Sequence, residues 1–337
     1  MKVLVTGAAG YIGSHTLIEL FKAQHEVCGV DNFCNGSAEA IARVSEITGE
    51  DITVRDVDIR DEQGLGAVFE EFKPDAVIHF AGLKAVGESN EIPLEYYDNN
   101  VNGSVTLLKC MEAAECKHIV FSSSATVYGD SQYLPIDEAH DCAPINPYGR
   151  SKFYVENLLR DWALANENVS SVALRYFNPV GAHKSGRIGE DPVGTPNNLL
   201  PFISQVAIGQ REKLLVFGND YETRDGTGLR DFIHVVDLAK AHVKALEYAC
   251  RTTGADEINI GTGQGATVLE LITAFEEVSG KPIAYEFAPR RLGDIAESVA
   301  DVGRARQILN WTAKLGLKDM CASAWGWQSA NPRGYDE

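Results

Sequence analysis

Short, continuous apolar segments alternate with amphipathic segments through the first half of the chain. Six apolar segments have the length and composition of buried strands, at residues 3–6, 26–30, 52–54, 76–80, 118–122 and 171–176. Between them, apolar residues recur at helical spacing in residues 14–24, 62–72, 101–114 and 148–166. Strands that are apolar throughout and separated by helices are typical of a parallel sheet covered on both faces. The pattern therefore predicts a doubly wound, Rossmann-like α/β domain.

The second half of the chain differs in composition and in its pattern of predicted elements. Residues 178–198 are dense in Gly, Pro, Asn and charge, which predicts a long ordered loop. A helix at 199–208, a strand at 214–217, a strand and helix at 231–248 and a strand at 257–260 follow, with helix, strand and loop from residue 267. We expect the 231–248 segment to rejoin the first domain. The predicted domains are 1–178 plus about 231–261, and a smaller discontinuous α/β domain of about 179–230 plus 262–337.

Composition narrows the class of protein. The 337 residues are 45% hydrophobic and 23% charged, with a net charge of −18, which argues against nucleic-acid binding. No apolar run approaches the length of a membrane span. The seven cysteines are scattered without Cys-x-x-Cys spacing, which favours free thiols in a reducing compartment and no metal site. Residues 2–6 read as a strand rather than a signal peptide, so we expect a cytoplasmic protein.

A glycine-rich segment, GAAGYIG at residues 7–13, lies between the first predicted strand and the first predicted helix. Glycines here permit a tight turn and let the backbone approach a pyrophosphate at the helix N-terminus. Gly7, Gly10 and Gly13 follow a Gly-x-x-Gly-x-x-Gly spacing rather than the commoner Gly-x-Gly-x-x-Gly. A glycine trio is often only a turn, but this one has a strand before it and a helix after it. The context predicts a dinucleotide site.

Two acidic residues follow the second and third predicted strands. Asp31 stands about 20 residues after the glycines, where a carboxylate can accept hydrogen bonds from the adenosine ribose. A carboxylate there would repel a 2′-phosphate, so NAD is favoured over NADP. Asp58 stands where an acid can reach the adenine amino group. The alternative for Asp58 is an exposed turn residue.

Tyr148 and Lys152, in PYGRSK at residues 147–152, are four residues apart, so a helix places both on one face. A cation beside a phenol favours the phenolate and lowers a pKa that starts near ~10. Such a tyrosine can take a proton from a sugar or alcohol hydroxyl near neutral pH. The spacing also arises by chance in helices, where it is a solvated pair. Its meaning depends on the rest of the chain.

Small hydroxyl side chains follow the fifth predicted strand, in SSSATVYG at residues 122–129, where ligands bind in such sheets. Together with the glycines, Tyr148 and Lys152, this segment resembles the extended short-chain dehydrogenase/reductase family, which acts mainly on nucleotide sugars. Within that family the chain resembles the UDP-galactose (UDP-glucose) 4-epimerases over nearly its whole length. The resemblance is carried by HFAGLKAVGES (79–89), PLEYYDNNVNG (93–103), RYFNPVGAH (175–183), PNNL (196–199), FGNDY (217–221), DGTG (225–228) and RDFIH (230–234).

The resemblance implies a reaction centre and a cofactor groove. Tyr148 would be the acid/base, Lys152 would tune it and bind the nicotinamide ribose, and Ser124 would hydrogen-bond the reacting 4-hydroxyl and relay its proton. The implied NAD-binding residues are Gly7, Gly10, Tyr11, Ile12, Gly13, Asp31, Asn32, Asn35, Asp58, Ile59, Phe80, Ala81, Gly82, Lys84, Asn99, Ser122, Tyr148, Lys152 and Tyr176. Lys84 would lie near the pyrophosphate. Its alternative is a solvated loop lysine, and Asn99 could instead cap a helix.

The resemblance also implies a UDP-hexose pocket, so the two domains would bind NAD and the UDP-sugar respectively. The implied substrate residues are Lys84, Ser124, Tyr148, Phe177, Asn178, Asn198, Leu199, Leu215, Phe217, Arg230, Arg291, Asp294 and Ser298. Arg230 and Arg291 would neutralise the pyrophosphate, to which a forked guanidinium is suited. Asp294 would accept the uridine ribose hydroxyls, and Phe217 would border the uracil.

The implied activity is the reversible C4 epimerisation of UDP-galactose and UDP-glucose through a 4-keto intermediate, with NAD regenerated in each turnover. A sugar-nucleotide 4,6-dehydratase needs an acidic pair after the Ser/Thr, whereas Ala125 and Thr126 follow Ser124. A reductase that releases oxidised product would favour NADP, which Asp31 disfavours. A non-catalytic NAD-dependent sensor or scaffold would have no use for the serine, tyrosine and lysine together.

Three smaller expectations complete the sequence analysis. Many bacterial relatives carry a bulky aromatic at the position of Ser298, so we hypothesise that UDP-GlcNAc and UDP-GalNAc are also accepted, unless a neighbouring side chain fills the gap. The resemblance suggests a homodimer through helices near residues 99–114 and 148–164. GTGQG at residues 261–265 is predicted to be a loop without a cofactor role, and His79 and His234 to be core or hinge histidines.

Overall fold

The computed structural model describes residues 1–192, 194–291 and 294–336. Its strands are β1 (Lys2–Thr6), β2 (Glu26–Asp31), β3 (Thr53–Asp56), β4 (Ala76–His79), β5 (His118–Ser122), β6 (Ser170–Tyr176), β7 (Asn178–Val180), β8 (Leu214–Phe217), β9 (Leu229–His234), β10 (Gly254–Ile260), β11 (Gly265–Thr267), β12 (Tyr285–Ala288) and β13 (Glu297–Ser298). Its α-helices are α1 (Tyr11–Lys22), α2 (Ala38–Thr48), α3 (Glu62–Phe72), α4 (Val86–Glu91), α5 (Pro93–Tyr97), α6 (Gly103–Ala113), α7 (Pro147–Ala165), α8 (Leu199–Ala207), α9 (Val235–Ala249), α10 (Val268–Ser279), α11 (Gly303–Leu309) and α12 (Leu317–Ala330). A π-helical turn (Asp98–Asn102) and a 3₁₀ turn (Ala125–Val127) are also present.

A seven-stranded sheet forms the centre of the molecule, in the order β10-β6-β5-β4-β1-β2-β3. Every neighbouring pair in it is parallel. All six strands predicted in the first half lie in this sheet, and the strand predicted at 257–260 completes it as β10. The predicted doubly wound α/β fold is confirmed.

Successive residues of the strands enter two different cores. In β1, Val3 and Val5 pack into a core that α1, α2 and α9 cover, whereas Leu4 packs into a core that α3, α6 and α7 cover. This alternation is what a strand buried on both faces requires. It explains why the strands are apolar throughout.

A second, smaller unit is built around short strands and three helices. One sheet has the order β11-β9-β13, with β7 also paired to β9, and β8 pairs with β12 in another. Apolar residues from α8, α10 and α12 form its core with β8 and β9, including Ile203, Phe232 and Phe275. Residues 178–198 are mostly irregular, as predicted, although β7 opens them. Val193 in that loop lies outside the described residues.

The structure places three segments differently from the sequence prediction. The strand predicted from residue 231 does not rejoin the large sheet: β9 lies in the small one, and only α9 packs against the first core. The 303–311 segment, predicted for the second domain, contributes Ala305, Leu309 and Trp311 to the first core. Helix α2 was not predicted at all, although Ala40, Ile41 and Val44 give it a buried face. Which strand pairs with which depends on long-range contacts that local patterns do not encode.

The strand order reverses between β1 and β4, and ligands bind at such a switch point in open α/β sheets. The glycine-rich turn leaves β1 there, and Phe80 and Ala81 leave β4 beside it. Among the described residues, no helix is both long and apolar enough to cross a bilayer.

Candidate active site

The helix that carries Tyr148 and Lys152 begins one residue before the tyrosine. The Asn146 Oδ1 accepts a hydrogen bond from the Gly149 N–H at 2.8 Å, and Pro147 occupies the first helical position. Both side chains of the pair are buried. The Lys152 Nζ lies 6.0 Å from the centroid of the Tyr148 ring and donates a hydrogen bond to the Ser122 carbonyl at 2.8 Å. The helix predicted around the pair is confirmed.

Burial shifts the pKa values of both side chains in the direction that favours their neutral forms. It lowers the pKa of Lys152 to about 8, and the negative charge of Glu156 opposes the change. Burial raises the pKa of Tyr148 above its usual value, and the Ser124 hydroxyl partly offsets the increase. The net shift of the Tyr148 pKa is therefore upward, opposite to the direction that the Tyr148–Lys152 spacing predicts, because burial disfavours the phenolate.

Ser124 lies at the start of the 3₁₀ turn that follows β5. Its Oγ accepts hydrogen bonds from the Thr126 N–H at 3.2 Å and from the Thr126 hydroxyl at 2.9 Å. A serine oxygen has two acceptor sites, so its own O–H is left to donate. A Cβ on Gly149 would lie 2.8 Å from the Thr126 carbonyl oxygen, so the glycine lets α7 approach this turn. The turn and the helix thereby meet at Ser124 and Tyr148.

A buried ion pair, which sequence reasoning missed, lies behind the reaction centre. Glu156, one helical turn after Lys152, accepts bidentate hydrogen bonds from Arg175 at 2.9 and 2.7 Å. It also accepts a hydrogen bond from the Ser123 hydroxyl at 2.5 Å. The two charged side chains are 0% and 4% exposed. The pair fixes α7 against β5 and β6, the strands that present Ser122 and Tyr176.

The glycine-rich turn has the shape that a dinucleotide requires. Gly7 has a φ of 69°, and a Cβ there would lie 2.6 Å from the Ala81 nitrogen. A Cβ on Gly13 would lie 2.1 Å from the Gly7 carbonyl oxygen. Gly10 is the N-cap of α1, so the N–H groups of the first turn are directed out of the helix end. The residues present therefore fit a pyrophosphate, with Ile12 partly buried behind it.

The acidic residues after β2 and β3 are held by different partners. Asp31 is buried and accepts hydrogen bonds from the Ala9 N–H at 2.9 Å and the Phe33 N–H at 2.8 Å. Burial raises the pKa of its carboxyl group. Asp58 accepts hydrogen bonds from Arg60 and from the Asn32 amide, and Arg60 holds the pKa of Asp58 well below its usual range. Asp58 is therefore part of a network rather than an isolated turn residue.

Two predicted cofactor residues flank this network. Asn35 is exposed in the loop after β2. Ile59 is buried, and a Cβ on Gly103 would lie 2.5 Å from its Cδ1. Gly103 thus allows α6 to pack closely on the segment that carries Asp58.

The segment after β4 passes from the glycine-rich turn to helix α7. Phe80 is partly buried at the strand end, and the Ala81 N–H donates to the Thr6 hydroxyl at 3.3 Å. A Cβ on Gly82 would lie 3.6 Å from the Lys152 Nζ. The structure thus brings the predicted groove residues and the predicted catalytic lysine together.

The π-helical turn contains Asn99 and a second asparagine that the sequence prediction missed. Asn99 lies inside the turn and donates to the Asn100 Oδ1 at 2.9 Å, so the helix-cap alternative for it is wrong. Asn100 is buried and bonds to both the N–H and the C=O of Leu83, as well as to Ser151 on α7. π-Helical turns are frequent at functional sites, but the local sequence does not announce one.

Lys84 is not a freely solvated lysine. It is half-exposed, and its Nζ donates a hydrogen bond to the Glu190 Oε1 at 3.3 Å. The Asn198 amide donates to the same oxygen at 2.5 Å. The sequence predicts that Lys84 binds both ligands and that Asn198 binds the substrate. Glu190, which sequence reasoning missed, accepts hydrogen bonds from both side chains.

Four predicted residues lie along the exit from β6 and at the start of α8. The Tyr176 hydroxyl and the Ser122 Oγ are 2.7 Å apart, and both side chains are buried. Phe177 is buried, whereas Asn178 is exposed at the start of β7. Leu199 is the first residue of α8 and is partly buried. Residues 176–178 therefore lead from the reaction centre toward the second unit.

The Arg230 guanidinium is anchored by main-chain carbonyl groups. It donates to the carbonyl oxygens of Leu229 at 2.9 Å, Ala296 at 3.3 Å and Ile295 at 2.9 Å. Because a guanidinium has five N–H donors, Nε and one further N–H have no acceptor among the described residues and could serve a ligand. Burial lowers the pKa of Arg230. Ser298 pairs with Arg230 across β13 and β9 and is buried.

The Arg291 side chain lies over an aromatic ring at the rim of the site. Its Cζ is 4.7 Å from the centroid of the Phe217 ring, and it forms a bidentate ion pair with Asp294 at 2.9 and 3.2 Å. Leu215, two residues before Phe217, is exposed. Leu292 and Gly293 in this predicted segment lie outside the described residues.

The histidines and the second glycine run have structural partners. His79 bonds to Thr6 at 2.7 Å and to Ser104 at 3.0 Å, and burial lowers its pKa to about 3. His234 bonds to Ser323 at 3.0 Å. The loop at 261–265 wraps around the Asp231 carboxylate. In residues 1–192, 194–291 and 294–336, no His, Cys, Asp and Glu side chains form a group that could hold a metal ion.

Comparison with known proteins gives consistent matches over the whole chain. Residues 3–261 match the model of the NAD dependent epimerase/dehydratase family. The chain is 56% identical over 335 residues to a UDP-glucose 4-epimerase of Bacillus subtilis, covering 99% of both. A UDP-glucose 4-epimerase of Bifidobacterium longum, solved with NAD+ and UDP, superposes with a TM-score of 0.96 at 50% identity, covering 99% of this chain and 100% of that one. A UDP-Glc/GlcNAc 4-epimerase of Campylobacter jejuni gives a TM-score of 0.85 at 39% identity, covering 98% and 99%.

Proposed function

The chain belongs to the NAD dependent epimerase/dehydratase family, and on that premise we propose that it is an NAD-dependent isomerase that interconverts UDP-galactose and UDP-glucose at C4. This is a reaction of galactose metabolism that passes through a 4-keto intermediate. The observation that carries the proposal is the buried group of Ser124, Tyr148 and Lys152 beside a turn whose shape fits a dinucleotide. The sequence relatives and solved structures support the same activity.

The residues of the chain would divide the work between proton transfer and positioning. The chemistry that NAD supplies when bound is the removal of a hydride from sugar C4 and its return to the opposite face. Tyr148 would take the 4-hydroxyl proton as a phenolate and give it back in the second half of the reaction. Lys152 would stabilise the phenolate, and Ser124 would hydrogen-bond the same hydroxyl. NAD would be held by the glycine-rich turn, Asp31 and Lys84.

The environment of Ser124 favours epimerisation over dehydration. Elimination across C5 and C6 of the sugar needs an acid and a base next to the reacting hydroxyl. Ala125 and Thr126 follow the serine, and the Thr126 hydroxyl is already engaged with the Ser124 oxygen at 2.9 Å. The side chains of this turn therefore offer proton transfer only at the 4-hydroxyl.

The nucleotide end supplies the anchoring that an epimerase needs. The 4-keto sugar must turn its other face to the cofactor, so the hexose has to be held loosely and the UDP half firmly. Arg230 retains two N–H donors for a phosphate, and Arg291 and Asp294 lie beside Phe217 at the rim. We assign the pyrophosphate to the two arginines, and the uridine to Phe217 and Asp294.

The activity is tested by incubating the purified protein with UDP-galactose and no added NAD. Conversion to UDP-glucose, followed by chromatography, would establish the activity and show that NAD stays bound through purification. A 4-keto-6-deoxy product would instead indicate dehydration. No conversion, even with added NAD, would reject the proposal.

We further propose that UDP-GlcNAc and UDP-GalNAc are accepted. Ser298 is a small side chain on β13 beside Arg230, and the C. jejuni relative is described as acting on both kinds of UDP-sugar. Ser298→Tyr should suppress UDP-GlcNAc turnover by about tenfold or more while sparing UDP-glucose, since an added ring fills space beside C2. Equal loss of both activities would contradict this assignment.

We also propose that the protein is cytoplasmic and forms a homodimer. Leu94 on α5 is 79% exposed and Tyr154 on α7 is 48% exposed, and the Tyr154 ring stacks on Tyr97 at 5.9 Å. An apolar surface of this kind on two adjacent helices is suited to a second copy of the chain. Sedimentation equilibrium should give twice the mass of the chain, and Leu94→Glu should shift it toward the monomer. A monomeric parent protein would contradict the proposal.

A further inference from the structure

Glu190 is a buried carboxylate at the centre of an irregular segment. It lies between β7 and α8, yet the residue is only 9% exposed. Its Oε1 accepts hydrogen bonds from Lys84 at 3.3 Å and from Asn198 at 2.5 Å. Its Oε2 is buried and has no hydrogen-bond partner among the described residues. A buried carboxylate with one oxygen that accepts no hydrogen bond is not expected to stabilise the fold, which suggests another reason for its burial.

The partner on the substrate side begins helix α8. Asn198 is the N-cap residue of α8, and its side chain makes no capping hydrogen bond. Pro201, at the third helical position, has no N–H for an N-cap oxygen to accept from. The Asn198 amide donates to Glu190 instead, so the carboxylate holds the residue at which α8 starts.

Residues from distant parts of the chain hold the backbone on both sides of Glu190. The Tyr335 hydroxyl bonds to the Gly189 N–H and C=O at 3.2 and 3.3 Å, and the Asp191 carboxylate accepts from the Tyr335 N–H at 2.7 Å. The Arg43 guanidinium lies 5.2 Å from the Tyr335 ring and 5.7 Å from the Trp327 ring. The C-terminal segment thus holds the loop against α2. The Glu190 carboxylate itself contacts two predicted site residues, Lys84 and Asn198.

We propose that Glu190 is a positioning residue that couples the cofactor side of the site to its substrate side, by holding Lys84 and Asn198 on one carboxylate oxygen. Lys84 follows β4 at the cofactor groove, whereas Asn198 begins the second unit. When one ligand fixes either partner, Glu190 fixes the other. This inference rests on the proposed function, because it takes NAD and a UDP-sugar as the two ligands.

The test is a double-mutant cycle read out as UDP affinity by titration calorimetry, together with the NAD content of the purified protein. Lys84→Met, Asn198→Ala and the double variant are made in the parent protein and in Glu190→Ala. In the parent, the effects of the two substitutions on UDP affinity should be non-additive by about fivefold or more. In Glu190→Ala they should be additive, and NAD content should fall. Additivity in the parent, or unchanged coupling without Glu190, would overturn the proposal.

Two further variants separate positioning from folding. Glu190→Gln keeps the shape and one acceptor oxygen, so it should retain part of the coupling. Asp191→Ala truncates the neighbouring carboxylate, which anchors only the loop; it should lower Tm but leave the coupling within about twofold of the parent value. Loss of coupling in Asp191→Ala would show that any loosening of the loop has the same effect, and would contradict a specific role for Glu190. UDP binding needs no turnover. A failure to epimerise UDP-galactose would therefore reject the proposed function, but the double-mutant cycle on UDP affinity could still be interpreted.

Discussion

The proposed reaction centre and the rim of the proposed nucleotide end are built in opposite ways. Tyr148, Lys152 and Ser124 are buried, and Lys152 and Ser124 are held by contacts inside the chain. At the rim, the Arg291 side chain is 57% exposed and is paired with Asp294, which is 21% exposed. The first region is buried and hydrogen-bonded within the chain, whereas the second consists of partly exposed charges that pair with each other. Proton transfer needs fixed geometry, but nucleotide capture needs groups that can reorganise.

Arg230 lies between these extremes. We assign it to the nucleotide end, yet its guanidinium is anchored by three carbonyl groups and is mostly buried, as the side chains of the proposed reaction centre are. We therefore expect substitutions at these three places to impair the enzyme to different degrees. We expect the largest effect at the fixed phenol and the smallest at the exposed arginine.

Tyr148→Phe should have the largest effect. It removes the phenol oxygen but keeps the ring, so kcat should fall by about 10³-fold while UDP affinity and NAD content stay within about twofold. The measurement is UDP-galactose turnover together with titration of UDP. Tyr221→Phe is the matched control, because the Tyr221 hydroxyl is buried and has no hydrogen-bond partner among the described residues. A comparable loss in both variants would mean that the phenol has no special role.

Arg230→Met should act on binding rather than on chemistry. Loss of a buried, anchored guanidinium should raise KM for UDP-galactose by about 100-fold, with kcat changed by less than about fivefold. Steady-state kinetics and calorimetry with UDP would measure both quantities. A fall in kcat at unchanged KM would mean that Arg230 acts on the chemical step, and would contradict its assignment to nucleotide binding.

The pH dependence should report on the buried pair. The reactive form, phenolate with ammonium, carries one proton fewer than the fully protonated pair. Burial lowers the pKa of Lys152 to about 8 and raises that of Tyr148, so the proton lost near pH 8 comes mainly from Lys152. The phenolate–ammonium form is a tautomer of the same singly deprotonated pair, so its population rises together with that state. Consequently kcat/KM should rise with pH up to about 8, by at most about tenfold per unit, and then level off. A decrease between about pH 6 and 8 would contradict this sign.

Arg291→Met should have the smallest effect. An exposed guanidinium that already has a carboxylate partner should contribute little, so KM for UDP-galactose should rise by about fivefold. The difference between parent and variant should shrink as salt is added, since exposed charges are screened. KM measured at low and high ionic strength would show it. An effect as large as that of Arg230→Met would remove the distinction between rim and anchor.

The placement of Tyr148 and Lys152 on one buried helix face could be predicted from the sequence because its determinants are local. An Asn–Pro start fixes where α7 begins, and a four-residue spacing fixes which side chains share its face. The glycine-rich turn is similarly read from a strand, three glycines and a helix. The direction of the Tyr148 pKa shift was wrong, because burial depends on the packed fold and not on the neighbour four residues away.

What the sequence could not predict depends on distant partners. Glu190 is a charged residue in a loop rich in glycine and proline, and such residues are ordinarily solvated. The residues on both sides of it are held by Tyr335, far along the chain. The place of β9 likewise depends on its pairing with β7, β11 and β13, which local sequence does not show.

The strand order also has a consequence for synthesis of the chain. β6 is buried along its whole length, but its outer partner β10 is made only after β7, β8 and β9. At ribosomal rates, the roughly 80 residues between them leave an apolar strand edge unpaired for about 4 to 16 s. The nascent chain therefore passes through a period in which aggregation competes with folding. Slower translation through this region should lower the soluble yield without changing the finished enzyme.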